Sequence, residues 1–241
     1  MIDLNRFTMK GYLLLFACLL VSGSAPGQRV IIAEDLRGDD EPRVYGMNRT
    51  HYSHSYLGVS FLAGPPEDRG AEIHYRRSWS LQYGYRYKLR ISNVFSVGTE
   101  LSLHRTSYRP RQTEYKQVPG PAMHDTEKLV FVQPGLSYYK RINFGQRGDY
   151  IGRFFDAGAY GAWNVHVRHI SFDEIEGERV KVRRTGMDYP AAFEYGVLAR
   201  VGFSNFVIRG SYRFSELFRS SADLPEFPRL MIGFEMGTHP F

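Results

Sequence analysis

The stretch W-S-L-Q-Y-G-Y-R-Y-K-L-R at 79–90, with I-S-N at 91–93 and V-F-S-V-G-T-E-L-S-L at 94–103, decides the fold. In the first run Trp79, Leu81, Tyr83, Tyr85, Tyr87 and Leu89 alternate with Ser80, Gln82, Gly84, Arg86, Lys88 and Arg90. In the second run Phe95, Val97, Thr99, Leu101 and Leu103 alternate with Ser96, Gly98, Glu100, Ser102 and His104. A period of two places each set on one face of a strand. A link of two or three residues around Ser92-Asn93 makes the pair an antiparallel hairpin. Each strand reaches about ten residues, beyond the usual five or six of a soluble sheet. Its apolar face carries Tyr and Phe. That combination suits a strand tilted across a bilayer.

The same alternation recurs outward from this hairpin. It predicts further strands over 54–62, 127–141, 150–167, 191–203, 206–217 and 229–238. Pro134 marks a bulge or break in the fourth strand. In the fifth, Phe155, Trp163, Val165 and Val167 alternate with Asp156, Tyr160, Asn164 and His166. Phe193 and Tyr195 stand opposite Glu194 and Arg200, Phe206 and Tyr212 opposite Arg209 and Arg213, and Phe234 opposite Glu235. The total is eight strands. The connections alternate, long at 63–77, 107–126, 168–190 and 216–228 and shorter at 92–93, 143–149 and 204–205. An up-and-down outer-membrane barrel is built this way, with short turns on one side and long loops on the other. The expected fold is therefore an all-β, eight-stranded antiparallel transmembrane β-barrel meander.

Composition agrees. Mean hydropathy is negative, because lipid-facing and interior residues cancel in such a chain. The net charge of +6 raises the question of nucleic acid, but Lys and Arg are spread over strands and loops, with no basic helix. Lumen charges and anionic headgroups account for the balance better, so no nucleic-acid partner is expected. Cys18 is the single cysteine and lies in a leader-like segment, which leaves no disulfide and no thiolate metal site.

Residues 1–27 read as a secretory signal, with Arg6 and Lys10 before a short apolar run and small residues to Gly27. Residues 28–52 read as a polar periplasmic arm, and 53–241 as the barrel. His51 and His54, three apart on a strand, face opposite sides and form no metal pair.

The signal region, the hairpin Y-G-Y-R-Y-K-L-R-I-S-N, the run K-R-I-N-F-G-Q-R-G at 140–148 and the closing Phe241 together resemble the small outer-membrane β-barrel proteins of Bacteroidota-like bacteria. PorT-like barrels linked to type IX secretion are a looser resemblance. The resemblance implies location in the cell outer membrane and contact with its lipids, including lipopolysaccharide. The outward parity of Phe234 and Met236 puts Phe241 on the opposite face, unless a bulge at His239-Pro240 shifts the register.

The membrane-facing set is expected to hold Trp79, Leu81, Tyr83, Tyr85, Tyr87, Leu89, Phe95, Val97, Leu101, Phe155, Trp163, Phe193, Tyr195, Phe206, Tyr212 and Phe234. The lumen is expected to hold Arg86, Lys88, Arg90, Glu100, Asp156, Glu194, Arg200, Arg209, Arg213 and Glu235. Unpaired buried charges are costly, so these should form a salt-bridge network that closes the barrel. Barrels of this size also include lipid A-modifying enzymes. His104 and His166, with Ser102, Ser215, Glu100 or Glu194, are the residues such chemistry would use. No catalytic set is assembled in the sequence. The expected role is non-enzymatic, without cofactor or metal, as a structural or accessory part of an envelope complex concerned with secretion or assembly. A lipid A-modifying enzyme and a narrow porin-like channel are the alternatives.

Overall fold

The structure, a computed structural model, describes residues 48–144, 152–203 and 206–238. The leader, most of the proposed arm, residues 145–151 and 204–205, the bulge expected at His239-Pro240, and Phe241 lie outside these residues. The strands are β1 (His51–Ala63), β2 (Trp79–Arg90), β3 (Phe95–Tyr108), β4 (Thr126–Phe144), β5 (Arg153–Trp163), β6 (His166–Ile175), β7 (Glu178–Thr185), β8 (Phe193–Phe203), β9 (Phe206–Arg213) and β10 (Leu230–Thr238). Eight of them pair in the order β1-β2-β3-β4-β5-β8-β9-β10, all antiparallel. β10 pairs back onto β1, from Ser55 opposite Thr238 to Ala63 opposite Leu230, and closes the cylinder. Closure leaves these eight strands no open edge.

Alternation fixes which face looks in. β8 shows it over its whole length: exposed and buried residues alternate from Phe193 to Phe203. The opening hairpin does the same, with Tyr83 and Tyr85 exposed and Gln82, Arg86 and Lys88 buried. Its turn is four residues, Ile91–Val94, longer than the sequence suggests. The amides of Ile91 and Ser92 both donate to the carbonyl of Phe95. Inward glycines make room for inward rings. A Cβ on Gly84 would stand 2.5 Å from the Tyr56 ring.

The region after Trp163 departs from expectation. The strand expected over 150–167 breaks, and the loop expected over 168–190 contains the hairpin β6–β7. Gly135 pairs with Ala162, whereas Val132 pairs with His166. Two residues of β4, Gln133 and Pro134, thus span three on the other side, which is a one-residue β-bulge. Pro134 has no N–H to offer the ladder there. The bulge reverses parity: His166, expected inside, shares the outer face with Val132 and is exposed, while His169 turns inward and is buried. Beyond Trp163 the cylinder ends, and β3, β4, β6 and β7 continue as a projecting sheet. β9 also stops at Arg213, short of the expected 217.

Over this end lies an apolar core. Tyr108, Leu129 and Phe131 from the sheet pack with Ala71, Ile73, Val118, Leu217, Phe218 and Phe227 from the loops, all with almost no exposure. Tyr108 stacks on Phe227 with centroids 4.9 Å apart, and Phe218 meets Phe227 edge-on at 5.6 Å. Bridges between Ile73 and Pro110 and between Pro190 and Phe218 pin the loops to one another.

Candidate functional site

Each barrel strand sends at least one side chain into a cluster at mid-lumen, where Tyr139 of β4 and Gln82 of β2 pack among eight others. These are Tyr56 (β1), Arg86 (β2), Glu100 (β3), Arg141 (β4), Asp156 (β5), Arg200 (β8), Arg209 (β9) and Glu235 (β10), each no more than 3% exposed. Register puts opposite charges side by side: Arg86 lies across from Glu100, and Asp156 lies between Arg141 and Arg200. Arg86 reaches both Glu100 and Glu235 at 2.8 Å. Arg141 holds Asp156 with two bonds of 2.7 and 2.8 Å, the fork geometry that only guanidinium supplies. Arg200 pairs with Glu100 and lies 3.6 Å from both Asp156 and Glu235. Arg209 donates to Gln82 at 2.9 Å and to Glu235 at 3.2 Å. Tyr56 donates to Glu100 at 2.7 Å, and its ring lies 4.4 Å from the Arg86 guanidinium. Four guanidinium groups thus face three carboxylates, with aromatic faces taking up part of the excess charge.

The remaining sequence-predicted lumen charges sit apart from this cluster. Lys88 is buried below it, 5.6 Å from the Tyr52 ring. Arg90 is half-buried at the turn end. Glu194 accepts from Gln133 at 2.9 Å and Tyr160 at 3.1 Å. Arg213 pairs at 2.7 Å with Glu226, a loop residue whose other oxygen accepts the amides of Leu217 and Phe218. Sequence reasoning left out Arg141, although the outward parity of Leu136 and Tyr138 already points Arg141 inward. The expected set also lacks Glu226, which lies in a loop, and Glu127, which takes Lys116 from one. Glu127 is held by Lys116 at 2.5 Å and His169 at 2.6 Å.

All sixteen residues of the expected membrane-facing set lie on the outer face, exposed or half-exposed. Rings gather at two levels. Phe144, Phe155, Phe203 and Phe206 ring the turn end, and Phe61, Trp163, Phe193 and Tyr212 the loop end.

Of the residues considered for nucleophilic chemistry, the structure brings together Ser102 and His104, with Oγ and Nε2 2.8 Å apart. Both point into the lumen. Among the described residues no carboxylate is hydrogen-bonded to His104. Glu100 is engaged by arginines, and His166 lies outside the barrel.

At the loop end, His74, Arg76, Arg77 and Arg111 line an open basic groove with Tyr75. Partial burial, then the charges of Arg111, Arg77 and Arg109, hold His74 below its usual range, so the imidazole resists taking up a further positive charge. A smaller cavity of about 150 Å³ lies between Glu127, His169, His124 and Tyr189. His124 bonds Asp173 at 2.9 Å beside it and ties the 109–125 loop to β6.

An apolar outer band between two aromatic levels, a charged interior and alternating long and short links define the class: an eight-stranded transmembrane β-barrel of the outer-membrane type. No protein family and no curated protein matches the chain. Among solved structures it is similar to Ail, the attachment invasion locus protein of Yersinia pestis, at 13% identity and a TM-score of 0.34, over 78% of this chain and 95% of that one. It is also similar to Ail in complex with the heparin analogue sucrose octasulfate, at 15% identity and a TM-score of 0.31, over 77% and 94%.

Proposed function

We propose that the protein is a non-enzymatic, non-conducting outer-membrane barrel. It would anchor an envelope complex by presenting its projecting sheet and loops to a protein partner. The observation that carries this is the double closure of the lumen. Locked charges fill the middle, and an apolar core seals the loop end. The aromatic outer face then meets lipid. The looser resemblance to PorT-like barrels supports a place in secretion or assembly. Crosslinking in the native envelope, followed by identification of what is captured, tests it. A defined protein partner is the expected result. A monomer that captures none, or a large stable conductance in planar bilayers, overturns it.

The hydrogen-bonded Ser102 and His104 favour a second reading, a lipid A-modifying enzyme. It requires that deletion alter the lipid A mass profile, and that the native gene but not a His104→Ala version restore it.

A further inference from the structure

We propose that the outer face of the projecting β3–β4–β6–β7 sheet binds the phosphorylated sugar headgroup of an outer-leaflet glycolipid. This rests on the outer-membrane reading above and adds a site to it.

Cross-strand register assembles the face. Arg105 lies opposite Val132, Val130 opposite Arg168, Lys128 opposite Ile170, Ile170 opposite Arg183, and Phe172 opposite Lys181. Directly paired residues share a face, so Arg105, Lys128, Arg168, Lys181 and Arg183 form one cationic strip on the outside of the molecule. The acid on this face among the described strand residues is Glu174, opposite Arg179. Lys128, besides its partial burial, feels the positive charges of Arg109, Lys181, Arg105 and Arg168. The Nε atoms of Arg109 and Arg168 are buried without a hydrogen-bond partner. Phe172 sits among Lys128, Arg179 and Lys181, each 5.4–5.9 Å from its ring. Like charges gathered this closely are unfavourable by themselves, and an anion lying over the strip relieves them.

Position selects the anion. The aromatic level marked by Trp163 and Phe193 meets β4 beside Gly135 and Pro134, through the pairing of Gly135 with Ala162 and of Trp163 with Phe193. From Phe144 to Pro134 a strand tilted by about 40° rises about 25 Å, the height of an outer-membrane apolar band. Arg105, paired with Leu81, stands at the upper edge of that band, and by the same rise Lys181 stands about 20 Å above it. A phospholipid headgroup layer is only about 5–7 Å thick. A strip that climbs further fits a stack of phosphorylated sugars anchored by acyl chains in the same leaflet.

The test uses the full chain in nanodiscs of phosphatidylcholine with rough lipopolysaccharide, intact or enzymatically dephosphorylated. Glycolipid retained per barrel after transfer to mild detergent is counted by mass spectrometry. Each surface cation contributes about fivefold to anionic-lipid binding, so Arg105→Ser/Lys128→Ser/Arg168→Ser should weaken retention about a hundredfold. Arg76→Ser/Arg77→Ser/Arg111→Ser removes the same charge from the groove elsewhere and should leave retention unchanged. If the first triple variant does not fold, Arg168→Ser alone should cost about fivefold. Equal retention by both triple variants overturns the site, as does equal retention of dephosphorylated glycolipid. Displacement by millimolar inorganic phosphate also overturns it, because the ligand would then be a free anion. A wild-type chain that inserts into phosphatidylcholine without selecting lipopolysaccharide sinks the site and spares the membrane reading. A chain that never inserts sinks both.

Discussion

The lumen is closed by two unlike regions, and they differ in how they are specified. The middle is closed by ion pairs among residues of seven strands, and the eighth, β1, joins through the hydrogen bond from Tyr56 to Glu100. The loop end is closed by apolar residues, about half of them from connections rather than strands. Buried ion pairs contribute little net stability, since desolvation offsets their attraction, but breaking one is expensive. They therefore act mainly against wrong register: slipping one strand by a residue would turn its charge out into lipid. The apolar core works the other way. Each large side chain buried there contributes about 1.5–3 kcal/mol, and shape alone selects its partners. The ionic layer thus fixes the cylinder, and the apolar layer fixes the loops.

The sharpest way to break this contrast is Glu100→Gln. Glu100 contacts Arg86 and Arg200 and accepts from Tyr56. Its loss would leave the four guanidinium groups with two carboxylates, at a cost of about 3–5 kcal/mol. The expected result is a lower urea midpoint for the whole barrel, read from the fluorescence of Trp79 on β2 and Trp163 on β5 in detergent micelles.

Phe227→Ala should be the next largest, at about 3 kcal/mol, because it opens a cavity against Tyr108 and Phe218. Its signature is local. Hydrogen exchange should rise in the 64–78, 109–125 and 214–229 loops and stay low in β1, β2 and β10. Exchange that rises equally in the barrel strands would show that the two regions are one cooperative unit. Gly84→Ala should follow, at about 1–3 kcal/mol, since the added methyl pushes into the Tyr56 ring. Tyr56→Ser in the same chain should recover part of that loss, which a comparison of urea midpoints would show.

The two regions also differ in how far the sequence reveals them. A strand writes its inward residues at every second position, so Arg86, Glu100, Arg200, Arg209 and Glu235 are readable before any fold is known. Arg141 follows the same rule. The bulge is where that rule fails. Pro134 announces a break, but which strand takes the extra residue depends on pairing, and that choice sends His166 out and His169 in. The apolar core has no period to read. Val118, Leu217 and Phe227 lie in proline-bearing loops that are polar on average, and only contacts between distant segments reveal their burial. The same holds for Glu226, whose value lies in two loop amides and Arg213.

The smallest expected effect tests whether burial, rather than ion pairing itself, gives the ionic layer its weight. Arg229 and Glu67 form a loop pair at 3.4 Å with the glutamate side chain 54% exposed. Arg213 and Glu226 form a neighbouring pair at 2.7 Å with both side chains 5% exposed or less. In water an ion pair is screened, and its two side chains must give up rotamer freedom to stay together, so Glu67→Gln should change stability by less than about 0.5 kcal/mol. Glu226→Gln should cost about 1–3 kcal/mol, because one carboxylate oxygen becomes an NH2 that faces either the buried guanidinium or the two loop amides, and that set loses its acceptor. The ratio of the two, taken from urea midpoints at equal ionic strength, isolates the contribution of the dry surroundings. Raising the salt should erase the first effect and leave the second nearly intact. Equal losses from the two substitutions would mean that the loop end is wet, and that the apolar core does not seal the barrel.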